Sequence, residues 1–184
     1  MNHTLPTSLT VGGVEYNIES DFRAALDIFA ALNDPELDDR DKSLTVLIIL
    51  YKQIEDMPPE DYQEALEAAL VFLNGGAEER PQKQKSPVLV SWEQDFNYIV
   101  SPINHIIGQD VRGLQYLHWW TFLSAYYEIG DCTFAQIVRI RDQKARGKKL
   151  DKADAEWYRK NRDLVDIKMT YTKKEKEAFA EWGV

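Results

Sequence analysis

The chain of 184 residues is long enough to build one sizeable domain or two small ones. Its formal net charge of -9 argues against non-specific binding to DNA or to an anionic membrane, because both require Lys and Arg to neutralise negative charge. The single cysteine, Cys132, excludes an internal disulfide, and no apolar run approaches the roughly 20 residues that a membrane-spanning helix needs. The N-terminus also lacks the basic and apolar regions of a signal peptide, so we expect a cytoplasmic protein.

Charge is distributed unevenly along the chain. Residues 1–80 hold 5 Lys and Arg against 17 Asp and Glu, whereas residues 81–184 hold 17 against 14. The balance changes within a stretch rich in glycine, proline and charge, which predicts an exposed linker over residues 75–87. We therefore divide the chain into an acidic region of a hairpin and three helices (1–74), the linker, and a basic helical region with an aromatic core (88–184). One bundle with a long surface loop fits the same pattern.

The N-terminal region begins with alternating apolar residues around Gly12-Gly13. This pattern predicts two short strands joined by a two-residue turn, with Val11 facing Val14 and Leu9 facing Tyr16. A lone hairpin is marginal in water, so one face should rest on the helices that follow.

Helical spacing follows in the rest of the acidic region. Ser20 is a plausible N-cap for a helix over Asp21–Leu32, and Pro59 suits the first turn of another helix that ends at Leu73. Between them, Leu44, Leu47, Ile48 and Tyr51 recur at helical spacing, which predicts a helix buried on most sides. A strand is the rival interpretation of this short run.

The second half is predicted to be helical almost throughout. The predicted segments are a helix from Trp92 to Ile107 that Ser101-Pro102 should kink or divide, Leu114–Ile129, Phe134–Lys144 capped by Asp131 or Thr133, Ala153–Asn161, an extended Leu164–Met169, and a final helix Lys173–Trp182. The predicted fold is mainly α: a helical bundle of about six to eight helices with a short N-terminal β-hairpin.

The predicted helix Leu114–Ile129 is apolar over most of its circumference. Aromatic stripes at helical spacing usually form core, and that is the favoured interpretation. The alternative is that part of the stripe stays exposed and binds an apolar partner, because Trp and Tyr are enriched at interface hot spots. The candidate partner-binding residues are Tyr116, Trp119, Trp120, Phe122, Tyr126 and Tyr127.

A basic tract follows this helix, and its candidate residues are Arg139, Arg141, Arg146, Lys148 and Lys149. Together with Trp157 and Tyr158 it could bind nucleic acid through phosphate neutralisation and stacking. Four acids in the same span and the overall acidity favour a solvated face or an acidic protein surface instead, and that surface could be the N-terminal half of the same protein.

No motif of catalysis is present. The histidines and Cys132 are too scattered in the sequence for a zinc site, and no phosphate-binding glycine loop occurs. No motif places a nucleophile and a general base together. His118 and Cys132 are not brought together by any pattern. We therefore predict no enzyme activity, no metal and no cofactor.

Several of these residues occur together in one known family. Leu117-His118-Trp119-Trp120-Thr121-Phe122, followed by Gly130-Asp131-Cys132-Thr133-Phe134 and by Gly147-Lys148-Lys149-Leu150, resembles the bacteriophage gene-product-fifteen family. The N-terminal hairpin leading into Asp21-Phe22-Arg23 fits the same pattern. The resemblance covers most of the chain and is most specific over residues 114–150, while residues 35–87 contribute little.

The resemblance implies a function. Members occur in tailed phages and prophages of Gram-positive bacteria, near the tail-tube and tape-measure genes, which implies a tail assembly chaperone with the tape-measure and tail-tube proteins as partners. Such a chaperone needs exposed apolar surface and solubilising charge rather than a titrating pocket. It would act in the host cytoplasm and be absent from the mature virion, and self-association stays open. The alternatives are a structural completion or connector component of the tail, and a nucleic-acid-binding regulator that uses residues 139–162.

Overall fold

A computed structural model describes residues 4–77, 87–168 and 172 of the chain. The chain forms two compact units. The first consists of Met1–Glu79, Tyr116–Trp120 and Met169–Val184, and the second of Arg80–Gln115 and Thr121–Lys168. Helices make up 61% of the structure, and the described residues form eight α-helices and one N-terminal hairpin. The predicted mainly α class with a short hairpin is therefore confirmed.

The hairpin consists of β1 (Ser8–Val11) and β2 (Val14–Asn17). The register pairs Val11 with Val14 and Leu9 with Tyr16, which confirms the predicted pairing. Gly12 and Gly13 have φ values of 56° and 79°, a conformation that glycine adopts without steric cost. One strand of the hairpin, β1, packs against the third helix of the first unit, so the hairpin does not stand alone.

Three helices follow the hairpin in the described part of the first unit: α1 (Phe22–Asn33), α2 (Asp39–Leu50) and α3 (Tyr62–Leu73). Two 3-10 segments, Ile54–Asp56 and Pro59–Asp61, connect α2 to α3, and α2 packs against both α1 and α3. The predicted cap of α1 was wrong by one residue. Asp21 is the N-cap and its carboxylate accepts from the Arg23 N–H, whereas the Ser20 hydroxyl is bonded to the hydroxyl of Tyr116.

The apolar run of residues 44–50 is helical, which decides against a strand, but it is buried on one side rather than on most sides. Val46, Leu47 and Leu50 are buried, while Leu44 and Ile48 are 40% and 55% exposed. A run of consecutive apolar residues does not by itself say which of them a neighbouring element covers.

The second unit contains α4 (Trp92–Ile107), α6 (Thr133–Ala145), α7 (Lys152–Lys160) and α8 (Arg162–Val165), with a 3-10 segment at Val111–Gly113. Helix α4 continues through Pro102 and is not divided, because packing along its buried face outweighs the one hydrogen bond that proline removes. The prediction that Leu164 and Val165 are extended was wrong, since both lie in α8.

The fifth helix, α5, spans Trp119–Tyr127 rather than the predicted Leu114–Ile129. Its first two residues belong to the first unit and the others to the second. The helix begins late because the preceding backbone is extended: the Phe22 N–H donates to the Leu117 carbonyl at 2.9 Å, and the Trp119 N–H donates to the Ser20 carbonyl at 2.8 Å. Backbone groups that pair across an extended segment cannot also make the hydrogen bonds of a helical turn.

Two predictions fall outside the described residues: most of the linker 75–87 and the final helix Lys173–Trp182. Of the helices that the structure does describe, none has both the length and the apolar character required to cross a bilayer.

Candidate functional site

The conspicuous tripeptide His118-Trp119-Trp120 connects separate segments of the first unit. Each ring nitrogen that carries a proton donates to a main-chain carbonyl: His118 Nε2 to Pro6 at 2.8 Å, Trp119 Nε1 to Leu73 at 2.9 Å, and Trp120 Nε1 to Phe72 at 2.8 Å. Leu73 is the last residue of α3, whose final carbonyls have no partner within the helix. The tripeptide thus gives the Leu73 carbonyl a donor, adds a second donor to the Phe72 carbonyl, which also accepts the Gly75 N–H at 3.0 Å, and ties the end of α3 to the N-terminal strand region.

Both ring nitrogens of His118 are occupied. Its Nδ1 accepts the Trp120 N–H at 3.0 Å, so the proton lies on Nε2, which faces the Pro6 carbonyl. The side chain is 3% exposed and its ring meets Phe72 edge-on, with ring centroids 5.9 Å apart. This histidine therefore acts as a cap at the start of α5 and not as an available base.

The two tryptophans differ in exposure. Trp119 is 1% exposed and packs against Phe29 with ring centroids 5.8 Å apart, whereas Trp120 is half-buried and stacks on Phe72 at 6.0 Å. Gly76 approaches Trp120 closely: a Cβ built on this glycine would lie 2.9 Å from the Trp120 ring. Trp119 is consequently unavailable to a partner in this state, and Trp120 is available only in part.

Tyr116 precedes the tripeptide and is 51% exposed. Its hydroxyl lies 2.8 Å from the hydroxyl of the buried Ser20. The Asp21 carboxylate accepts the Leu117 N–H at 2.9 Å and also pairs with Arg23 at 3.0 Å. The exposed ring of Tyr116 is thus held at the surface of the first unit by the hydrogen bond of its own hydroxyl and by that of the following residue, Leu117.

The other aromatic candidates lie in the second unit. Phe122 is fully buried, so it belongs to the core rather than to a surface. Tyr126 is half-buried and contacts Trp92 at 5.0 Å and Phe134 at 5.9 Å between ring centroids, and burial raises the pKa of its hydroxyl. Tyr127 is 71% exposed and meets Tyr126 edge-on at 5.7 Å. The exposed aromatic surface of this unit therefore centres on Tyr127.

Arg141, predicted as part of a basic surface patch, is instead 6% exposed. It forms a two-pronged ion pair with Asp95, which is fully buried, at 2.5 and 3.0 Å. Its remaining donors reach the carbonyls of Val165 at 2.6 Å, Leu89 at 2.9 Å and Leu164 at 3.0 Å. All five guanidinium N–H groups are used, which removes Arg141 from any phosphate-binding surface.

The other members of the basic tract are exposed, but two of them are neutralised by neighbours. Arg139 pairs with Asp154 at 2.6 Å and Arg146 with Asp142 at 2.8 Å, while Lys148 and Lys149 are exposed in the irregular segment that follows α6. Lys144, beside them, donates to Asp166 at 2.5 Å and to the Tyr158 hydroxyl at 2.5 Å. The tract presents alternating charge rather than a uniformly basic face.

Cys132 occupies the N-cap of α6 and makes no side-chain capping bond there, so the prediction of Asp131 or Thr133 as the cap was wrong. Among residues 4–77, 87–168 and 172, no group of three or more His, Cys, Asp or Glu side chains is arranged to hold a metal ion.

Sequence reasoning missed Asp95, although its position offered a signal. It lies three residues after Trp92 and four before Ile99, on the buried face of α4, where an acid is retained only with a partner. The carbonyls of Phe72 and Leu73, which accept hydrogen bonds from the two tryptophans, offered no signal in the sequence. Every residue has a carbonyl, and only the tertiary fold selects these two as acceptors.

The described residues define a mainly α protein whose distinctive side chains serve packing, capping and surface contact. The family model for the bacteriophage Gp15 protein matches residues 1–167. The chain belongs to this family, which comprises phage structural and assembly-related proteins and is not a known enzyme family. No curated protein and no solved structure shows a significant match to the chain.

Proposed function

We propose that the protein is a tail assembly chaperone that binds the tape-measure and tail-tube proteins transiently and performs no catalysis. Membership of a family of phage structural and assembly-related proteins supports the biological setting. The single structural observation that supports the mode of action is the exposed aromatic surface around Tyr127 in the second unit.

This aromatic surface suits reversible binding to an apolar partner. Tyr127 offers a large ring with only two rotatable side-chain bonds, so little entropy is lost on contact. The ring is supported by Tyr126, which in turn contacts the half-buried Trp92 and the buried Phe134. One exposed ring on a rigid support gives a modest contact area, and modest affinity lets a chaperone release its client.

Co-expression with the tape-measure protein of the same phage tests the proposal. We expect the protein to raise the soluble fraction of the tape-measure protein and to co-purify with it. Tyr127→Ser should reduce both effects, because it removes the exposed ring without disturbing a buried contact. Ile106→Ser is the matched control: Ile106 is a 40% exposed apolar residue in α4 of the same unit, away from the aromatic cluster. Absence of both rescue and co-purification would contradict the proposal.

The proposed role also places the protein in the host cytoplasm during assembly and outside the finished particle. Mass spectrometry of purified virions should therefore find none of it. Detection in a fixed copy number per virion would instead make the protein a structural completion or connector component of the tail.

A nucleic-acid-binding role receives less support from the side chains. Arg141 is buried against Asp95, and Arg139 and Arg146 are paired with acids of their own unit. Phosphate binding would have to displace these acids, which a net negative chain disfavours. Filter binding at low salt measures this directly, and we expect no retention of DNA or RNA.

A further inference from the structure

The C-terminal half of helix α2 is apolar on two sides, but the described residues cover only one of them. Val46, Leu47 and Leu50 face the interior of the first unit, while Leu44 and Ile48, one helical turn apart, are 40% and 55% exposed. A helix that is apolar around most of its circumference is normally buried on all sides. Within the part of the chain that the structure describes, the outer side of α2 therefore has apolar surface without a complete cover.

The spacing on this outer side fits a second helix. Asp41, Leu44 and Ile48 lie at positions i, i+3 and i+7, so they form one line along α2. A seam of this spacing is what a packed helix requires, since its side chains enter the gaps between residues one turn apart. The two ends of this line differ chemically, because Asp41 lies at the N-terminal end and the apolar Leu44 and Ile48 follow it.

The charge of the first unit specifies the chemistry of the partner. Its described residues hold 15 Asp and Glu against 4 Lys and Arg, so the acids outnumber the cations by 11 in the part of the unit that the structure describes. Arg40 and Lys42 lie on α2 itself, beside Asp38, Asp39 and Asp41 of its first turn and cap. Residues 34–42, which lead into α2 and form its first turn, hold five acids against two bases, so the excess of negative charge is local to this end of the helix, where it acts over a screening length of about 8 Å.

From these observations we infer that the outer side of α2 docks an amphipathic helix of a partner protein, with Leu or Ile on one face and Lys or Arg along its edges. A second copy of the same acidic unit would be repelled at this surface. The inference goes beyond the proposed chaperone function, because it concerns the first unit, whereas that function rests on the aromatic surface of the second. Either can fail without the other.

The test measures fluorescence anisotropy of a labelled helical peptide of roughly 18 residues, made of Leu, Ala and Lys with leucines at helical spacing. The full chain is titrated into it. We expect binding that weakens as salt is added, and no binding of the same peptide with Glu in place of Lys. Circular dichroism of each protein variant establishes that it is folded.

The decisive variants remove apolar contact, which should weaken peptide binding, and add negative charge, which should strengthen it. Ile48→Asp and Leu44→Asp make the unit more acidic, yet should weaken binding of the Lys peptide by roughly tenfold, because they remove the apolar seam. Val14→Asp adds the same charge at a residue that is 52% exposed in the hairpin of the same unit, and should leave binding unchanged or slightly tighter.

Three results would overturn the inference. If the Ile48→Asp variant binds the Lys peptide as tightly as the Val14→Asp variant does, the binding is non-specific electrostatic attraction and needs no apolar seam. Self-association of the wild-type chain in sedimentation, lost in Ile48→Asp, would make the surface an interface between copies. Binding of the Lys peptide that appears only after residues 173–184 are deleted would assign the surface to the protein's own C-terminal segment.

Discussion

In the first unit, His118, Trp119 and Trp120 donate from neutral rings to main-chain carbonyls, whereas in the second unit the charged guanidinium of Arg141 does so. The neutral donors also bury aromatic area, so each contributes packing as well as a hydrogen bond. Arg141 is balanced by one carboxylate, Asp95, at the centre of its network. The stability of the second unit should therefore depend more heavily on a single residue pair than the stability of the first unit does.

The largest expected effect is on that pair. Asp95→Ala leaves the Arg141 charge buried without its counter-ion and should lower the free energy of unfolding by about 3–5 kcal/mol, measured by urea denaturation. Glu156→Ala is the control, because it breaks an exposed pair with Lys160 in the same unit and should cost about 0.5 kcal/mol or less. Equal effects of the two substitutions would remove the proposed difference between the units.

A smaller effect is expected for the neutral donors of the first unit. Trp119→Phe keeps most of the buried ring but leaves the Leu73 carbonyl without its donor, at a cost of about 1–3 kcal/mol. Trp120→Phe removes the equivalent bond to Phe72 at a half-buried position where water can replace it, so it should cost about 1 kcal/mol or less. Thermal denaturation monitored by circular dichroism compares them, and a larger loss for Trp120→Phe would contradict this account.

A comparison of alanine substitutions at two glycines measures the energetic effect of the close contact between Gly76 and Trp120. Gly76 and Gly13 have φ values of 86° and 79°, so alanine introduces similar backbone strain at both. A Cβ at Gly13 meets nothing within 4 Å, whereas at Gly76 it meets the Trp120 ring. Gly76→Ala should therefore lower the free energy of unfolding by about 1 kcal/mol more than Gly13→Ala. This extra cost should disappear when Trp120 is also replaced by Ala.

The smallest expected effect is a pH dependence in the second unit. Burial tends to raise the pKa of Asp166, but hydrogen bonds from Lys144, Arg162 and Tyr158 outweigh it and lower the pKa to about 2. A carboxyl whose pKa is lower in the folded state adds stability above its unfolded pKa, and this stability is lost as pH falls from about 4 to about 2.

Asp166→Asn should therefore be less stable than the wild type near neutral pH, and the gap should close in that acid window. Because the side chain is 38% exposed, solvent screening keeps the gap below about 1 kcal/mol. Urea denaturation of both proteins at several pH values measures it. A gap that widens on acidification would contradict the assigned cause.

Features that depend on neighbouring residues were predicted well from the sequence. Gly12-Gly13 with alternating apolar flanks determined the hairpin and its register, and helical spacing located every described helix except the short α8. These patterns are local, since a turn or a helix is specified by residues within a few positions of one another.

Features that depend on distant partners were not predicted. The start of α5 at Trp119 required the extended pairing with Ser20 and Phe22, and the burial of Arg141 required Asp95, 46 residues earlier. The exposure of Leu44 and Ile48 likewise depended on which side of α2 the neighbouring helices cover.

The sequence by itself therefore determined the class of secondary structure, the hairpin register and, through the residues around His118-Trp119-Trp120, the phage family. Only the tertiary structure decided what that tripeptide does, because its acceptors at Pro6, Phe72 and Leu73 lie 112, 48 and 46 residues away. A main-chain carbonyl carries no sequence signal, so a side chain that binds one can be recognised only when the fold brings the two together.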